Sequence, residues 1–189
     1  MFTGIVEIIA KIESQTKIEN NIRIAISLDK KWKLKMGDSV AVSGVCLTVA
    51  EIKNSNKNNL YYFDMIPETL VKTIFGKKIP EFVNIERPLV YGARVHGHIV
   101  SGHVNCAGKV VKVSDDKMGY RIEVSFPTKF KKYLVEKGSV VIDGVSLTVV
   151  EAKASSLVVA LVPHTRKITT LSNLKKGDMV NLEFDLLNR

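Results

Sequence analysis

Two short stretches of the sequence put small polar side chains where they could grip a polar molecule: Cys46-Leu47-Thr48 and Ser146-Leu147-Thr148. In an extended strand residues i and i+2 share a face. Each stretch therefore presents a thiol or hydroxyl and a threonine hydroxyl on one side, and a leucine on the other. Two hydrogen-bonding groups aimed together suit recognition of a polar heterocycle. Taken without the repeat, each stretch reads better as an ordinary strand, because threonine favours strands and cysteine packs as a small hydrophobe. Covalent catalysis by Cys46 is the weaker reading. Its counterpart is Ser146, and hydrogen bonding is a role both can fill where thiol chemistry is not.

Three of the four histidines, His96, His98 and His103, gather in sequence near Cys106. Such a set is open to three readings: a zinc site, a polar ligand pocket, or ordinary surface and core histidines. Against zinc, the segment alternates like a strand, and an odd separation sends His98 and His103 to opposite faces. A bulge at Gly102 would re-aim one of them. The better-known signatures fail. Between Gly102 and Lys109 the glycines are one residue too far apart for a phosphate loop, and Val110 stands where a hydroxyl should bind magnesium. A dinucleotide fingerprint and a G-x-S-x-G elbow are both missing, so neither a metal nor a cofactor is expected.

The net charge of +9 raises the question of nucleic acid. The lysines are spread along the chain, with short clusters only at 30–35 and 129–132, and aromatic residues do not interleave them as a stacking platform requires. A solvated basic surface is the expectation. Glu7 interrupts the first apolar run before it could serve as a signal core, and the longest apolar stretch, 157–162, suits a buried strand. We therefore expect a cytoplasmic chain with no membrane partner, whose two cysteines are reduced thiols.

The elements that position these residues come in duplicate. Residues 43–51 recur at 143–151, identical at six of nine places. Thr3-Gly4-Ile5-Val6 answers to Ser101-Gly102-His103-Val104, Pro67-Glu68-Thr69 with Thr73 to Pro163-His164-Thr165 with Thr169, and Val83-Asn84-Ile85-Glu86 to Val180-Asn181-Leu182-Glu183. Four collinear matches spaced by 96 to 100 residues indicate a tandem duplication. Pro88, Gly92 and Gly97 punctuate the junction, which divides the chain into 1–96 and 97–189. Strand signals fall at 40–49, 60–65, 121–126, 140–150 and 157–162. Helical pattern is confined to one short piece per half: one from Pro127 through Phe130, Tyr133 and Leu134, and its counterpart around Trp32 and Leu34. Many short strands in each half fit an all-β closed barrel, because closure removes exposed edges.

The opening Met1-Phe2-Thr3-Gly4-Ile5-Val6, the block Gly44-Val45-Cys46-Leu47-Thr48-Val49, the run Gly97-His98-Ile99-Val100-Ser101-Gly102-His103 and Asp143-Gly144-Val145-Ser146-Leu147-Thr148-Val149 together resemble the riboflavin synthase family of the two-barrel type, from Met1 to about Asp185. The resemblance implies two tandem six-stranded Greek-key barrels, each with a short helix and each binding one 6,7-dimethyl-8-ribityllumazine. It implies a cofactor-free transferase. One lumazine gives a four-carbon unit to the other, yielding riboflavin and 5-amino-6-ribitylamino-2,4(1H,3H)-pyrimidinedione. It further implies a homotrimer, with each active site between the first barrel of one subunit and the second barrel of a neighbour, and an association with lumazine synthase. Family members continue past the position of Arg189 into a carboxy-terminal helix that gathers three subunits.

Carried over by the same resemblance, the first pocket takes Gly4, Ile5, Val6, Cys46, Leu47, Thr48, Asp64, Met65, Ile66, Pro67, Glu68 and Thr69, with Phe2, Thr3 and Ser39 close by. The second takes Gly102, His103, Val104, Lys137, Ser146, Leu147, Thr148, Ala160, Leu161, Val162, Pro163, His164 and Thr165. Cys46, His98, His103, Ser146 and Asp185 are the residues expected to carry the chemistry. The first half reads Lys78-Ile79-Pro80-Glu81 where the second reads Lys175-Lys176-Gly177-Asp178, which implies a local turn difference. The rival function is a non-catalytic lumazine or flavin carrier of the same fold, similar to the lumazine proteins of luminous bacteria. Those tend to lose the polar residues of one pocket, whereas both sets are present in this sequence.

Overall fold

A computed structural model describes residues 1–54 and 57–188 as two closed, antiparallel six-stranded barrels. The first is built from β1 (Ile8–Ile18), β2 (Asn21–Asp29), β3 (Ser39–Val42), β4 (Val45–Asn54), β5 (Asn58–Met65) and β6 (Phe82–Glu86). The second uses β7 (Cys106–Asp116), β8 (Gly119–Ser125), β9 (Ser139–Ile142), β10 (Val145–Ala152), β11 (Ser156–Leu161) and β12 (Met179–Phe184). Round the first barrel the order is β1-β2-β5-β4-β3-β6, and the second repeats it strand for strand. Both are Greek keys, since three hairpin-linked strands are followed in space by one that arrives over a long connection. Even the bulges are duplicated: the ladders slip at Val49/Glu51 and again at Val149/Glu151.

Two sequence expectations are corrected. The expected strands 40–49 and 140–150 are each two strands. Ser43-Gly44 and Asp143-Gly144 have φ of 43° and 79°, and of 46° and 80°, and so form two-residue hairpin turns of the kind that needs positive φ at both places. These turns meet back to back between the barrels, where a Cβ added to Gly44 would lie 2.7 Å from the Gly144 nitrogen. The helical inventory is also larger than expected. The pieces at Lys30–Trp32 and Thr128–Tyr133 are 3-10 turns, and each half adds one α-helix, α1 (Pro67–Lys72) and α2 (Pro163–Ile168), started by a proline at its first position. The expected turn difference between Lys78 and Lys175 is present. Gly177 takes φ +99°, whereas Lys78 donates back to Ile74 O.

Apolar residues of the strands fill the barrel interiors. Ile24, Ile26, Leu47, Phe63 and Ile85 are among those packed in the first, and Ile122, Val124, Leu147, Leu157 and Phe184 in the second. Among its buried members, each barrel core contains one residue from the other half. Val6 packs inside the second barrel and Val104 inside the first. The segments leading into β1 and β7 therefore cross over, and they touch at an antiparallel bridge between Phe2 and Val100. Burial of a valine contributes about 1.5 to 3 kcal/mol, enough to hold a short extended segment against the neighbouring barrel.

Candidate functional site

The crossing leaves a matched pair of slots on the outer walls. In the first barrel the β4–β5 ladder ends at Val49↔Phe63, so the strands part at Cys46, Leu47 and Thr48. In the second, the β10–β11 ladder ends at Val149↔Val159, and the strands part at Ser146, Leu147 and Thr148. A segment from the opposite half covers the start of each open edge. Cys46 N donates to Gly102 O at 2.9 Å, and Ser146 N donates to Gly4 O at 2.8 Å. Both glycines have φ near +75° (75° and 78°), and a Cβ on either would lie within 2.7 Å of the strand it faces. Only glycine lets the backbone come so close at that φ.

Each slot is thus a stretch of sheet edge whose ladder has been interrupted, where a planar ligand can take the place of a strand. Thr48 and Thr148 are exposed, Cys46 and Ser146 half-buried, and Leu47 and Leu147 point into the cores. Beyond Phe63 the chain runs through Asp64 and Met65 at the end of β5 to Ile66 and the start of α1 with Pro67, Glu68 and Thr69. Gly102, followed by His103 and Val104, is the segment that meets Cys46. In the second half the chain runs through Ala160 and Leu161 of β11 to Val162 and the start of α2 with Pro163, His164 and Thr165, and Gly4, followed by Ile5 and Val6, meets Ser146.

The expected allocation is therefore corrected: residues 4–6 belong with the second barrel's strand and 102–104 with the first's. The reason is the burial of Val6 and Val104 in the opposite cores. Other carried-over residues meet the slots differently from the simple expectation. Met65 and Leu161 are core residues at 0% and 5% exposure, so only their main chain can face a ligand. Both oxygens of Asp64 are held by Arg23, Oδ1 from Nε at 2.7 Å and Oδ2 from Nη2 at 2.8 Å, and the guanidinium keeps that carboxyl below its usual pKa. Exposed Glu68 accepts from Lys72 one helical turn on, at 2.7 Å. The Thr69 and Thr165 carbonyls accept the hydroxyls of Thr73 and Thr169. Phe2 is fully buried in the seam between barrels, packed with Ala41, Val100, Val141 and Cys46. Ser39 pairs across the sheet with Thr48. Lys137 is exposed, donates its amide to Val149 O at 2.8 Å, and stands at φ +64° where the first half has Gly37 at +88°.

The histidines separate. His98 reaches the second slot, with Nδ1 2.7 Å from Ser146 Oγ and its amide donating to Thr3 O at 3.1 Å. Burial lowers the His98 pKa from 6.5, while the charges of Asp185 and Glu183 act to raise it. His98, Ser146 and Asp185 thus belong to one electrostatic neighbourhood. His103 is exposed beside the first slot, its amide donating to Ser101 Oγ at 3.1 Å. The intervening segment is irregular and not the strand expected, since its hydrogen bonds run to Phe2, Thr3 and Glu183. Burial pushes the Cys106 thiol up to about 11, which leaves it protonated and inert at neutral pH. Among the described residues no group of three or more His, Cys, Asp or Glu is placed to hold a metal ion.

Sequence reasoning missed the residues that hold the slots in place. Glu86 and Glu183 bind the crossing segments, Asn84 and Asn181 tie barrel to barrel, and Gly97 lies so close that a Cβ would sit 2.1 Å from Thr3 O. The signal was in the repeated block Val83-Asn84-Ile85-Glu86, whose polar residues stand inside a buried strand.

The described geometry has known counterparts. A family model described as a lumazine binding domain matches twice, at residues 3–88 and 101–185. The chain is 38% identical over 192 residues to the riboflavin synthase of Photobacterium phosphoreum, covering 100% of this chain and 86% of that one. It is 39% identical over 193 residues to the riboflavin synthase of Actinobacillus pleuropneumoniae, covering 100% and 87%. Among solved structures, that of LumP complexed with riboflavin superposes with a TM-score of 0.86 at 24% identity, covering 98% of this chain and 100% of that one, a likeness of fold.

Proposed function

Because the chain belongs to the riboflavin synthase family, with two lumazine-binding domains in tandem, we propose that it converts two molecules of 6,7-dimethyl-8-ribityllumazine into riboflavin and 5-amino-6-ribitylamino-2,4(1H,3H)-pyrimidinedione. The observation that carries this reading is the duplicated slot: a reaction between two copies of one molecule calls for two like sites, each able to hold a heterocycle by its edge. Holding both reactants in register converts an encounter into an intramolecular event, which supplies several kcal/mol of the barrier reduction.

The C7 methyl of the lumazine is acidic, and its deprotonation starts the transfer. In the second slot His98 is the group suited to move that proton, being held neutral by burial and oriented by Ser146. Backbone donors along the open edge, with Thr148 and Lys137, then stabilise the delocalised anion. In the first slot Cys46 and Thr48 hold the partner lumazine by hydrogen bonds, with His103 close by. One molecule loses a four-carbon unit and becomes the pyrimidinedione, and the other gains it and becomes the flavin.

In the family's arrangement the first barrel of one subunit meets the second barrel of a neighbour within a homotrimer. Ile5, Ile66 and Val162, which edge the two slots at 41%, 51% and 61% exposure, form the kind of apolar rim that such a neighbour would cover. The reading also includes a cytoplasmic location and association with lumazine synthase. No helix among the described residues is long and apolar enough to cross a membrane.

The test is direct. Protein treated with EDTA and mixed with 6,7-dimethyl-8-ribityllumazine is expected to yield riboflavin fluorescence, with two lumazines consumed for each flavin formed. A lumazine spectrum that shifts on binding while no flavin appears would instead establish a chromophore carrier.

A further inference from the structure

Glu86 and Glu183 take no part in the chemistry just described, yet both are buried, at 5% and 2% exposure. Glu86 Oε1 accepts from Thr3 N at 2.7 Å and Thr3 Oγ1 at 2.8 Å, and its Oε2 accepts from Gly4 N at 3.0 Å. Glu183 repeats the pattern: Oε1 accepts from Ser101 N at 2.8 Å and Ser101 Oγ at 2.5 Å, and Oε2 from Gly102 N at 3.0 Å. A carboxylate is costly to bury unless several donors converge on it. In each half the donors come from the crossing segment. The next polar group along that segment is the carbonyl that meets the opposite barrel, Gly4 O at Ser146 N and Gly102 O at Cys46 N.

We infer that Glu86 and Glu183 are positioning residues that act crosswise, each anchored in the last strand of its own barrel and setting the wall of the slot on the other. Glu86 governs the slot on β10, and Glu183 the slot on β4. The consequence for turnover rests on the reading of the slots as lumazine sites. The crosswise coupling itself stands on the hydrogen bonds alone. If the two glutamates served only to stabilise their own barrels, their loss would be felt there and not across the seam.

Glutamine matches the shape of glutamate but offers a single acceptor oxygen, so Glu86→Gln and Glu183→Gln each set an amide NH2 against a backbone N–H and lose at least one bond. The milder Thr3→Val and Ser101→Ala remove only the hydroxyl from each clamp and serve if the glutamine variants do not fold. Amide hydrogen exchange of the full-length chain without ligand is the first readout. Glu183→Gln and Ser101→Ala are expected to speed exchange at Cys46 while Ser146 keeps its protection, and Glu86→Gln and Thr3→Val are expected to do the reverse, by about tenfold for the glutamine variants. Loss confined to the variant's own barrel, or equal at both amides, overturns the inference. The second readout is turnover, where kcat is expected to fall about tenfold in either glutamine variant while Ile24 and Ile122 keep their core protection. Crosswise exchange with unchanged kcat would refute the positioning role. Wild-type protein that makes no flavin would overturn the proposed reaction, and the exchange pattern would then decide the crosswise coupling by itself.

Discussion

Asn84 and Asn181 perform the same exchange in opposite directions across the seam between the barrels. Asn84 donates through Nδ2 to Asp143 O at 2.8 Å and accepts at Oδ1 from Thr170 N at 2.9 Å. Asn181 donates to Ser43 O at 2.9 Å and accepts from Ile74 N at 2.9 Å. Each side chain, 1% exposed, closes one backbone carbonyl and one backbone N–H of the other half. The pair joins the barrels through buried side-chain amides, and so helps fix the relative placement of the two slots.

Replacing either asparagine by alanine would strand two buried backbone groups. Asn181→Ala is expected to cost about 2 to 4 kcal/mol, on the scale of one to three kcal/mol for each buried group left unpaired. Urea unfolding of the full chain measures it. A loss below about 0.5 kcal/mol would mean that water or a local shift satisfies Ser43 O and Ile74 N.

Asp143, the repeat counterpart of Ser43, whose hydroxyl accepts from Asn84 N, lies in the same seam. Its Oδ1 accepts from Asn181 N at 2.7 Å, yet burial is the larger influence and pushes its pKa from 3.8 up to about 7. The folded form holds this proton more tightly than the unfolded chain does. The associated stability is complete below about pH 4 and is lost as the pH rises through about 7. Asp143→Asn keeps an acceptor for Asn181 N and removes the titration. Its unfolding free energy is expected to exceed that of the parent at pH 8 and to approach it at pH 5. Parallel pH curves for the two proteins would show that Asp143 is not the group responsible.

His98 gives a different pH signature, in turnover. Burial lowers its pKa, so the neutral imidazole that can take a proton persists below pH 6.5 and is lost only as the pH falls through the lowered value. The acid limb of kcat is therefore expected to lie on the acid side of 6.5. His98→Gln should lower kcat by about a hundredfold and abolish that limb, in keeping with the loss of one acid–base group. Ser146→Ala, which removes only the oriented contact at Nδ1, should cost less. A limb unchanged in His98→Gln would place proton transfer elsewhere.

Much of this arrangement is legible in the residues. Alternation around Leu47 and Leu147 assigned Cys46, Thr48, Ser146 and Thr148 to an outer face, and that is where they stand. What alternation missed was a break carried by only two residues. Ser43-Gly44 lies inside a run apolar enough to read as one strand, because serine at positive φ is stabilised by context and not by its own preference. The helices α1 and α2, six residues each, are too short for a 3.6-residue period to emerge.

By itself the sequence determined that the chain is two copies of one β-barrel and which faces of the repeated strands are polar, since both follow from local pattern and its recurrence at a spacing near 100 residues. Only the tertiary structure decided which half supplies each wall. Val6 and Val104 are apolar and equally at home in either core, and no local rule tells a crossing segment from one that stays with its own half. The same holds for Glu86, Glu183, Asn84 and Asn181, whose partners lie about 60 to 140 residues away in sequence, so their roles exist only once the two halves have been brought together.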